Sequence, residues 1–429
     1  MADGFIFNQD KCVACGACSA ACMLENNWSY HPRKIYTFNP QALPSLPVIN
    51  LSLACNHCRK AVCMDGCPAS SYYREPVSGA VVIDDSKCIG CRYCQWNCPY
   101  DAPKYPGNDN VIGKCNLCYY RLGEGLTPAC STACPTGALE YGKLTEKPVE
   151  KMIPWFPDKK LEPAIELTGA NTPTLRIIPK KIFDDEPAEL PEIENGVGRE
   201  WSLIAFSFMT ALSVGQIISA LIDGTYPDKI RFVPVVVIAG LLSIFHLGKK
   251  RRAWRAVLNL RHSPLSREIA LFIIYTLLAG FTVIFQIPVF LILSSIAGLG
   301  VLVSIDAVYI FSDKRKPVFL HSGQAFITGL LIASFLTGKI LPFIFIAIIK
   351  LVSSLTKFGT DRDDRSKFVL RFVRIALLII AGLSLVSGIS YPETAVICLF
   401  LAGELLDRTL FYVDFKPLNI SRLVNSPKI

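Results

Sequence analysis

The sequence predicts two fold classes in one chain: a small α+β domain of cysteine-rich loops, then an all-α bundle of membrane-spanning helices. Three observations predict it. Of the 17 cysteines among 429 residues, sixteen fall between Cys12 and Cys134, and only Cys398 lies beyond. Those sixteen form four groups of four with recurring spacing. Long apolar runs begin only after about residue 201, in a chain that is 51% hydrophobic overall.

The first group is CVACGACSAAC, with Cys12, Cys15, Cys18 and Cys22. The second is CNHCRKAVCMDGC, with Cys55, Cys58, Cys63 and Cys67. The third, CIGCRYCQWNC, holds Cys88, Cys91, Cys94 and Cys98; the fourth, CNLCYYRLGEGLTPACSTAC, holds Cys115, Cys118, Cys130 and Cys134. The N-terminus shows neither a basic stretch followed by an apolar core nor a twin-arginine pair, so no export signal is expected. Disulfides are disfavoured without export, and metal ligation is the better reading. Three thiolates on one tight loop grip three corners of an iron–sulfur cube, and a fourth, a few residues on, points away to another cluster. Pro68, Pro99 and Pro135 follow the last cysteines of three groups, whereas Met23 follows Cys22. A single tetrahedral zinc has no use for three thiols in seven residues plus a fourth. The spacing therefore favours iron–sulfur clusters over zinc and over disulfides.

An internal repeat supports duplication. FIFNQDKCVAC from Phe5 and VVIDDSKCIGC from Val81 both read as a short strand, a polar turn, a lysine and C-x2-C. Residues 1–145 are thus predicted to be an α+β tandem ferredoxin-like [4Fe-4S] domain, with 31–54 as a Pro-rich insertion and GALEYG as a further strand. Such a domain passes single electrons between distant redox sites. Residues 146–200 read as a solvated connector rich in proline, with seven acids against one arginine in 184–200.

Residues 201–429 contain eight apolar segments of spanning or near-spanning length, at about 201–222, 230–248, 268–287, 288–311, 322–338, 339–356, 369–390 and 394–415. Eight spans place both ends of the chain on one side. The loops and tail of that side carry nineteen lysines and arginines against three opposite, Lys229, Arg231 and Lys339. The positive-inside rule puts the cysteine domain in the cytoplasm, at the inner membrane. The net charge of +9 is then a topology signal and not a nucleic-acid footprint.

Of five histidines, only His246 sits inside a span, so a two-histidine haem is not expected. Without haem, electrons need a lipid-soluble carrier, and a quinol fits. Its oxidation releases protons with the electrons and calls for a proton acceptor at the membrane edge. The stretch HLGKKRRAWRAVLNLRHSPLSRE supplies candidates: His246 ends the second span and Glu268 opens the third, so a loop folded back along the interface would let them converge. Histidine takes a proton near neutral pH, and Glu268 can relay it, although an acid at a helix N-terminus is also favoured by the dipole alone. Arg252 is a further candidate, but it reads first as a topology charge. Asp306 and Glu404 are ionisable residues within spans, and Glu404 has Arg408 four residues on as a structural partner.

On these residues the chain resembles a known family. The four groups, and CIGCRYCQWNCPY above all, are similar to the four-cluster iron–sulfur subunit of dimethyl sulfoxide reductase-type molybdoenzymes. The helical half resembles that family's membrane anchor, which oxidises menaquinol, most recognisably in HLG, RA, N and LSREI. The resemblance implies four [4Fe-4S] clusters with the last cysteine exchanged between groups. One would use Cys12, Cys15, Cys18 and Cys134; another Cys115, Cys118, Cys130 and Cys22. A third would use Cys55, Cys58, Cys63 and Cys98, and a fourth Cys88, Cys91, Cys94 and Cys67. It implies His246 and Glu268 as quinol-site residues, and a separate catalytic partner carrying a molybdenum or tungsten pterin. In the family these two subunits are separate chains; here they are fused. Two other readings stay open: the same wire serving a hydrogenase-type catalytic subunit, and an iron–sulfur membrane sensor or scaffold.

Overall fold

The computed structural model describes residues 3–38, 48–106, 110–145, 160–168, 197–312, 324–358, 365–387 and 393–415. The chain forms two compact units, the first built mainly from residues up to Pro191 and the second mainly from Glu192–Leu260 and Pro264–Pro417.

In the first unit, strand β1 (Asp3–Asn8) turns Phe5 and Phe7 inward, as the alternation of its sequence demands. It pairs antiparallel with β6 (Leu139–Lys143), the strand read in GALEYG, placing Phe5 opposite Tyr141. Two hairpins flank the thiol loops. The pair β2 (Lys34–Phe38) and β3 (Ile49–Leu53) lies in the expected insertion, and β4 (Tyr72–Arg74) with β5 (Val81–Ile83) precedes Cys88. Strands β1 and β5 deliver the chain into C-x2-C loops as the repeat predicts. Short helices carry it out: α1 (Ala17–Asn26), α2 (Val62–Asp65), α3 (Tyr93–Asn97), α4 (Tyr119–Gly123) and α5 (Ala129–Thr132). One buried cluster joins Phe5, Phe7, Leu51 and Leu139 to Cys18, Cys22, Cys55, Cys98, Cys115 and Cys130, so the thiols belong to the core itself.

The unit runs past residue 145. Most of the expected connector lies outside the described residues, but 160–168 is not solvated chain. Strand β7 (Ile165–Thr168) lies parallel to β1, with Ile165 beside Phe5, and Leu161 is buried. Backbone bonds from Arg59 to Glu162, from Lys60 to Leu161 and from Ala164 to Asn56 fasten it to the second thiol loop, and Lys60 pairs with Glu162 at 2.6 Å. Apolar residues at alternate positions recover enough burial to outweigh the surrounding polar composition. Gly4 faces this segment: a Cβ there would stand 2.5 Å from the Ala164 carbonyl oxygen. Gly4→Ala is expected to lower the stability of the iron-loaded first unit by about 1–3 kcal/mol, read as a lower melting temperature and earlier cleavage near 160–168.

In the second unit, helices fill the eight apolar segments: α6 (Val197–Asp223), α7 (Lys229–Phe245), α8 (Pro264–Phe285), α9 (Pro288–Ser312), α10 (Gln324–Leu336), α11 (Ile340–Phe358), α12 (Arg365–Ser387) and α13 (Glu393–Asp414). Four are long and apolar enough to cross a membrane by themselves: Glu200–Asp223, Pro264–Phe285, Pro288–Ile310 and Ser366–Val386. Helix α7 and the 3-10 helix Lys250–Val257 meet at 102° and make a fifth if they form one span. Gln324–Leu336 and Ile340–Leu355 are apolar but shorter. Ile273, Ile274, Leu277, Phe281, Ile284 and Phe285 are exposed along α8, a face suited to lipid.

The expected Glu404–Arg408 pair does not form; both residues point to other helices. Lys350 of α11 and Arg374 of α12, each 1% exposed, hold Glu404 and Asp407 of α13 between them. Lys350 Nζ bonds Glu404, Asp407 at 2.8 Å and Thr328 at 2.7 Å, and Arg374 Nε lies 3.1 Å from Asp407. Arg408 instead faces Asp306 at 3.9 Å and bonds Ser207 at 2.8 Å. Asp306 caps α10 by accepting from the amides of Ala325 and Phe326. Arg371 pairs with Asp414 at 2.6 Å, so Arg371 and Arg374, two of the nineteen topology charges, are internal partners and not loop charges. The asymmetry survives their removal. Lys350→Met is expected to cost about 3–5 kcal/mol by leaving a buried carboxylate unmatched. Adding Glu404→Gln should recover most of that loss, both read by thermal unfolding in detergent.

Candidate functional site

The four C-x2-C loops share one backbone device. The residue before each second cysteine adopts positive φ: Ala14 at 56°, His57 at 43°, Gly90 at 69° and Leu117 at 65°. Three of the four are not glycine, so the surroundings sustain a conformation that costs L-residues about 1–3 kcal/mol each. The twist turns the amide of that residue back onto the first thiol. His57 N–H donates to Cys55 Sγ and Leu117 N–H to Cys115 Sγ, both at 3.4 Å. The amides of Ala14 and Gly90 serve Cys12 and Cys88 in the same way. Each loop is thus a small nest that presents thiols and amides to one point, suited to an anionic sulfur-ligated group.

Tertiary folding regroups the sixteen thiols. Cys12 lies in the field of Cys18, Cys134 and Cys15, and Cys22 in that of Cys130 and Cys118. Cys58 is surrounded by Cys55, Cys98 and Cys63, and Cys94 by Cys91, Cys67 and Cys88. Each set thus takes its fourth thiol from a different sequence group. Cys55, Cys58, Cys63 and Cys98 line one cavity; Cys67, Cys88, Cys91 and Cys94 line another. Among the described residues, no three His, Cys, Asp or Glu side chains converge as on a single metal ion. The thiols of these two sets surround a space, which suits a multi-iron cube. Burial, then the neighbouring Cys130, pushes the Cys22 thiol up to about 12; burial pushes Cys98 up to about 12. Ligation must therefore displace these protons.

The sets follow one another in a row. Cys18 adjoins Cys22, Cys115 adjoins Cys55, and the buried Tyr72 lies among Cys94, Cys63 and Cys67. Two buried cations stand at the first two junctions, and the sequence reading passed over both. Arg33, 1% exposed, is acted on by Cys130, Cys18, Cys115 and Cys22. Lys114, 3% exposed, is acted on by Cys55, Cys63 and Cys115. Lysine precedes the first cysteine at Lys11, Lys87 and Lys114 alike, so the position carried a signal, but only Lys114 is buried. Arg33 sits in the insertion, where the sequence carries no signal.

In the second unit, Glu268 is buried in α8, in the field of Arg408 and Asp306. His246 caps the C-terminus of α7 and is half-buried; among the described residues it is not one of the charges acting on Glu268. Arg252 lies in the 3-10 helix after the bend. That helix folds back against the start of α8, where Ser266 donates to the Ala256 carbonyl at 2.7 Å. Arg408, which touches Tyr309, Phe411 and Tyr412, is the neighbour of Glu268 that its sequence position concealed.

Fold and thiol geometry together define the first unit as an iron–sulfur electron-transfer domain. The 4Fe-4S dicluster domain family matches residues 47–144. The probable anaerobic dimethyl sulfoxide reductase subunit YnfG of Escherichia coli is 36% identical over 155 residues, 33% of this chain and 74% of that one. The B subunit of the anaerobic dimethyl sulfoxide reductase of Haemophilus influenzae is 34% identical over 154 residues, 33% of this chain and 75% of that one. The thiosulfate reductase electron transfer subunit PhsB of Salmonella typhi is 33% identical over 155 residues, 34% of this chain and 79% of that one. The chain belongs to the iron–sulfur subunit family of dimethyl sulfoxide reductase-type enzymes.

Proposed function

We propose that this chain is a fused electron-transfer and membrane-anchor subunit, carrying electrons between menaquinol and a separate catalytic subunit. The observation that carries the reading is the row of four thiol sets in a chain whose other half is an apolar helical unit with the buried acid Glu268. The ligand sets are Cys12, Cys15, Cys18 and Cys134; Cys22, Cys115, Cys118 and Cys130; Cys55, Cys58, Cys63 and Cys98; and Cys67, Cys88, Cys91 and Cys94. When bound there, four [4Fe-4S] clusters supply one-electron transfer along the row. The thiol sets hold them in order, and the loop amides and packed side chains keep water off them.

Menaquinol oxidation splits two electrons from two protons. Glu268 receives a proton from the quinol hydroxyl, His246 provides a second acceptor at the end of α7, and Arg252 holds the headgroup at the membrane edge. The helices of 201–429 anchor the chain in the inner membrane through eight crossings, with the cluster domain on the cytoplasmic face, as the loop charges favour. The partner is a molybdenum- or tungsten-pterin oxidoreductase, by analogy with the reductases to which the first unit is similar.

The test is anaerobic purification from native membranes in mild detergent, then addition of a menaquinol analogue. The reading expects a large co-purifying subunit with molybdenum or tungsten, and cluster reduction by the quinol followed by electron paramagnetic resonance (EPR). Iron-loaded protein that a quinol does not reduce would sink it.

A further inference from the structure

Among the described residues of the first unit, Arg33 is the most deeply buried cation, and its partners do not account for it. Its Nη1 donates to the Ser52 carbonyl at 3.1 Å and to Ser52 Oγ at 3.2 Å. The guanidinium lies over the Phe5 ring at 4.5 Å. Nε and Nη2 are buried with no hydrogen-bond partner among the described residues, and no carboxylate there pairs with the guanidinium. A guanidinium stays charged in proteins, and an uncompensated buried charge costs several kcal/mol. The surroundings say what is missing. Ser52 Oγ, which Arg33 holds, also lies 3.2 Å from Cys18 Sγ. The groups that act on Arg33 are thiols of two different sets, Cys18 in one and Cys22, Cys115 and Cys130 in the other. Ser19 Oγ bonds the Arg33 carbonyl at 2.7 Å and fixes its backbone to α1, the helix that carries Cys18 and Cys22.

We propose that Arg33 is a potential-setting residue: its positive charge and the N–H groups of its two unpartnered nitrogens, Nε and Nη2, face the sulfurs of the clusters held by the Cys12 and Cys22 sets and stabilise their reduced states. The inference rests on the iron–sulfur reading of those sets. One electron added to a cluster adds one negative charge and breaks no bond, so a fixed cation at the junction favours the added electron on either side. Its effect is strongest on these two sets, whose thiols it faces, and it weakens toward the Cys55 set, whose loop residue His57 still lies in its field.

The experiment is an EPR-monitored redox titration of the full-length, iron-loaded protein, comparing the parent with Arg33→Gln and Arg33→Lys. Arg33→Gln is expected to lower two midpoints by at least a tenfold change in the reduced-to-oxidised ratio, which is 59 mV for one electron. The midpoint of the Cys67 set stays in place, that of the Cys55 set moves less than these two, and Arg33→Lys stays within that tenfold of the parent. A fully loaded Arg33→Gln protein with unchanged midpoints overturns the proposal. Should the glutamine variant retain less iron, parent and Arg33→Lys are grown on heavy-nitrogen-labelled arginine. Pulsed EPR of the reduced parent must then show a nitrogen coupling that Arg33→Lys lacks, and identical spectra overturn the proposal. Absence of cluster signals in the parent would instead defeat the iron–sulfur reading itself.

Discussion

Glu268→Gln is expected to slow menaquinol-driven reduction of the clusters by about 10²–10⁴-fold, the usual contribution of a positioned proton acceptor. Dithionite, which needs no quinol site, should reduce the same preparation as it does the parent. Glutamine preserves the size and burial of the side chain but cannot take a proton. The change should also leave the bundle standing, because Arg408 keeps Asp306 and Ser207 as partners. A variant that matches the parent with quinol would remove Glu268 from the site. One that fails with dithionite as well would locate the damage in the first unit or in folding. His246→Ala should give a smaller loss, since His246 is half-buried at a helix end and not within the charged core.

Removing iron is expected to unfold the first unit while sparing the second. The core of the first unit contains the ligands themselves, with Cys18, Cys22, Cys55, Cys98, Cys115 and Cys130 packed among its phenylalanines and leucines. Among the described residues its strands are short, three to six residues, and its longest helix has ten. Such elements do not stand without a staple. Where ligation and folding are coupled, binding free energy of on the order of 10 kcal/mol is folding free energy. Anaerobic chelation should therefore expose 3–145 to protease within one cooperative loss of structure. Far-ultraviolet ellipticity from the helical unit should remain, because that unit packs Leu331, Ile332, Phe343 and Phe400 in a core of its own. A first unit that stays protease-resistant without iron would show that its hydrophobic contacts suffice.

The sequence by itself determined what depends on local spacing. The C-x2-C loops, the strands that feed them and the eight apolar segments follow from residue order, because thiol reach, strand alternation and helix length are set within a few residues. Tertiary structure alone decided what depends on distant residues meeting. It brought Cys134 beside Cys12 and Cys98 beside Cys58, and it laid Ile165–Thr168 along β1 within what read as polar connector. It also turned Glu404 away from Arg408, its neighbour one helical turn on, toward Lys350 and Arg374. Arg33 shows the reason most plainly. Nothing within the insertion marks it, and its meaning comes from burial between two thiol sets. A charge acquires its energy from the dielectric around it and from the groups it faces, and the linear order of residues specifies neither.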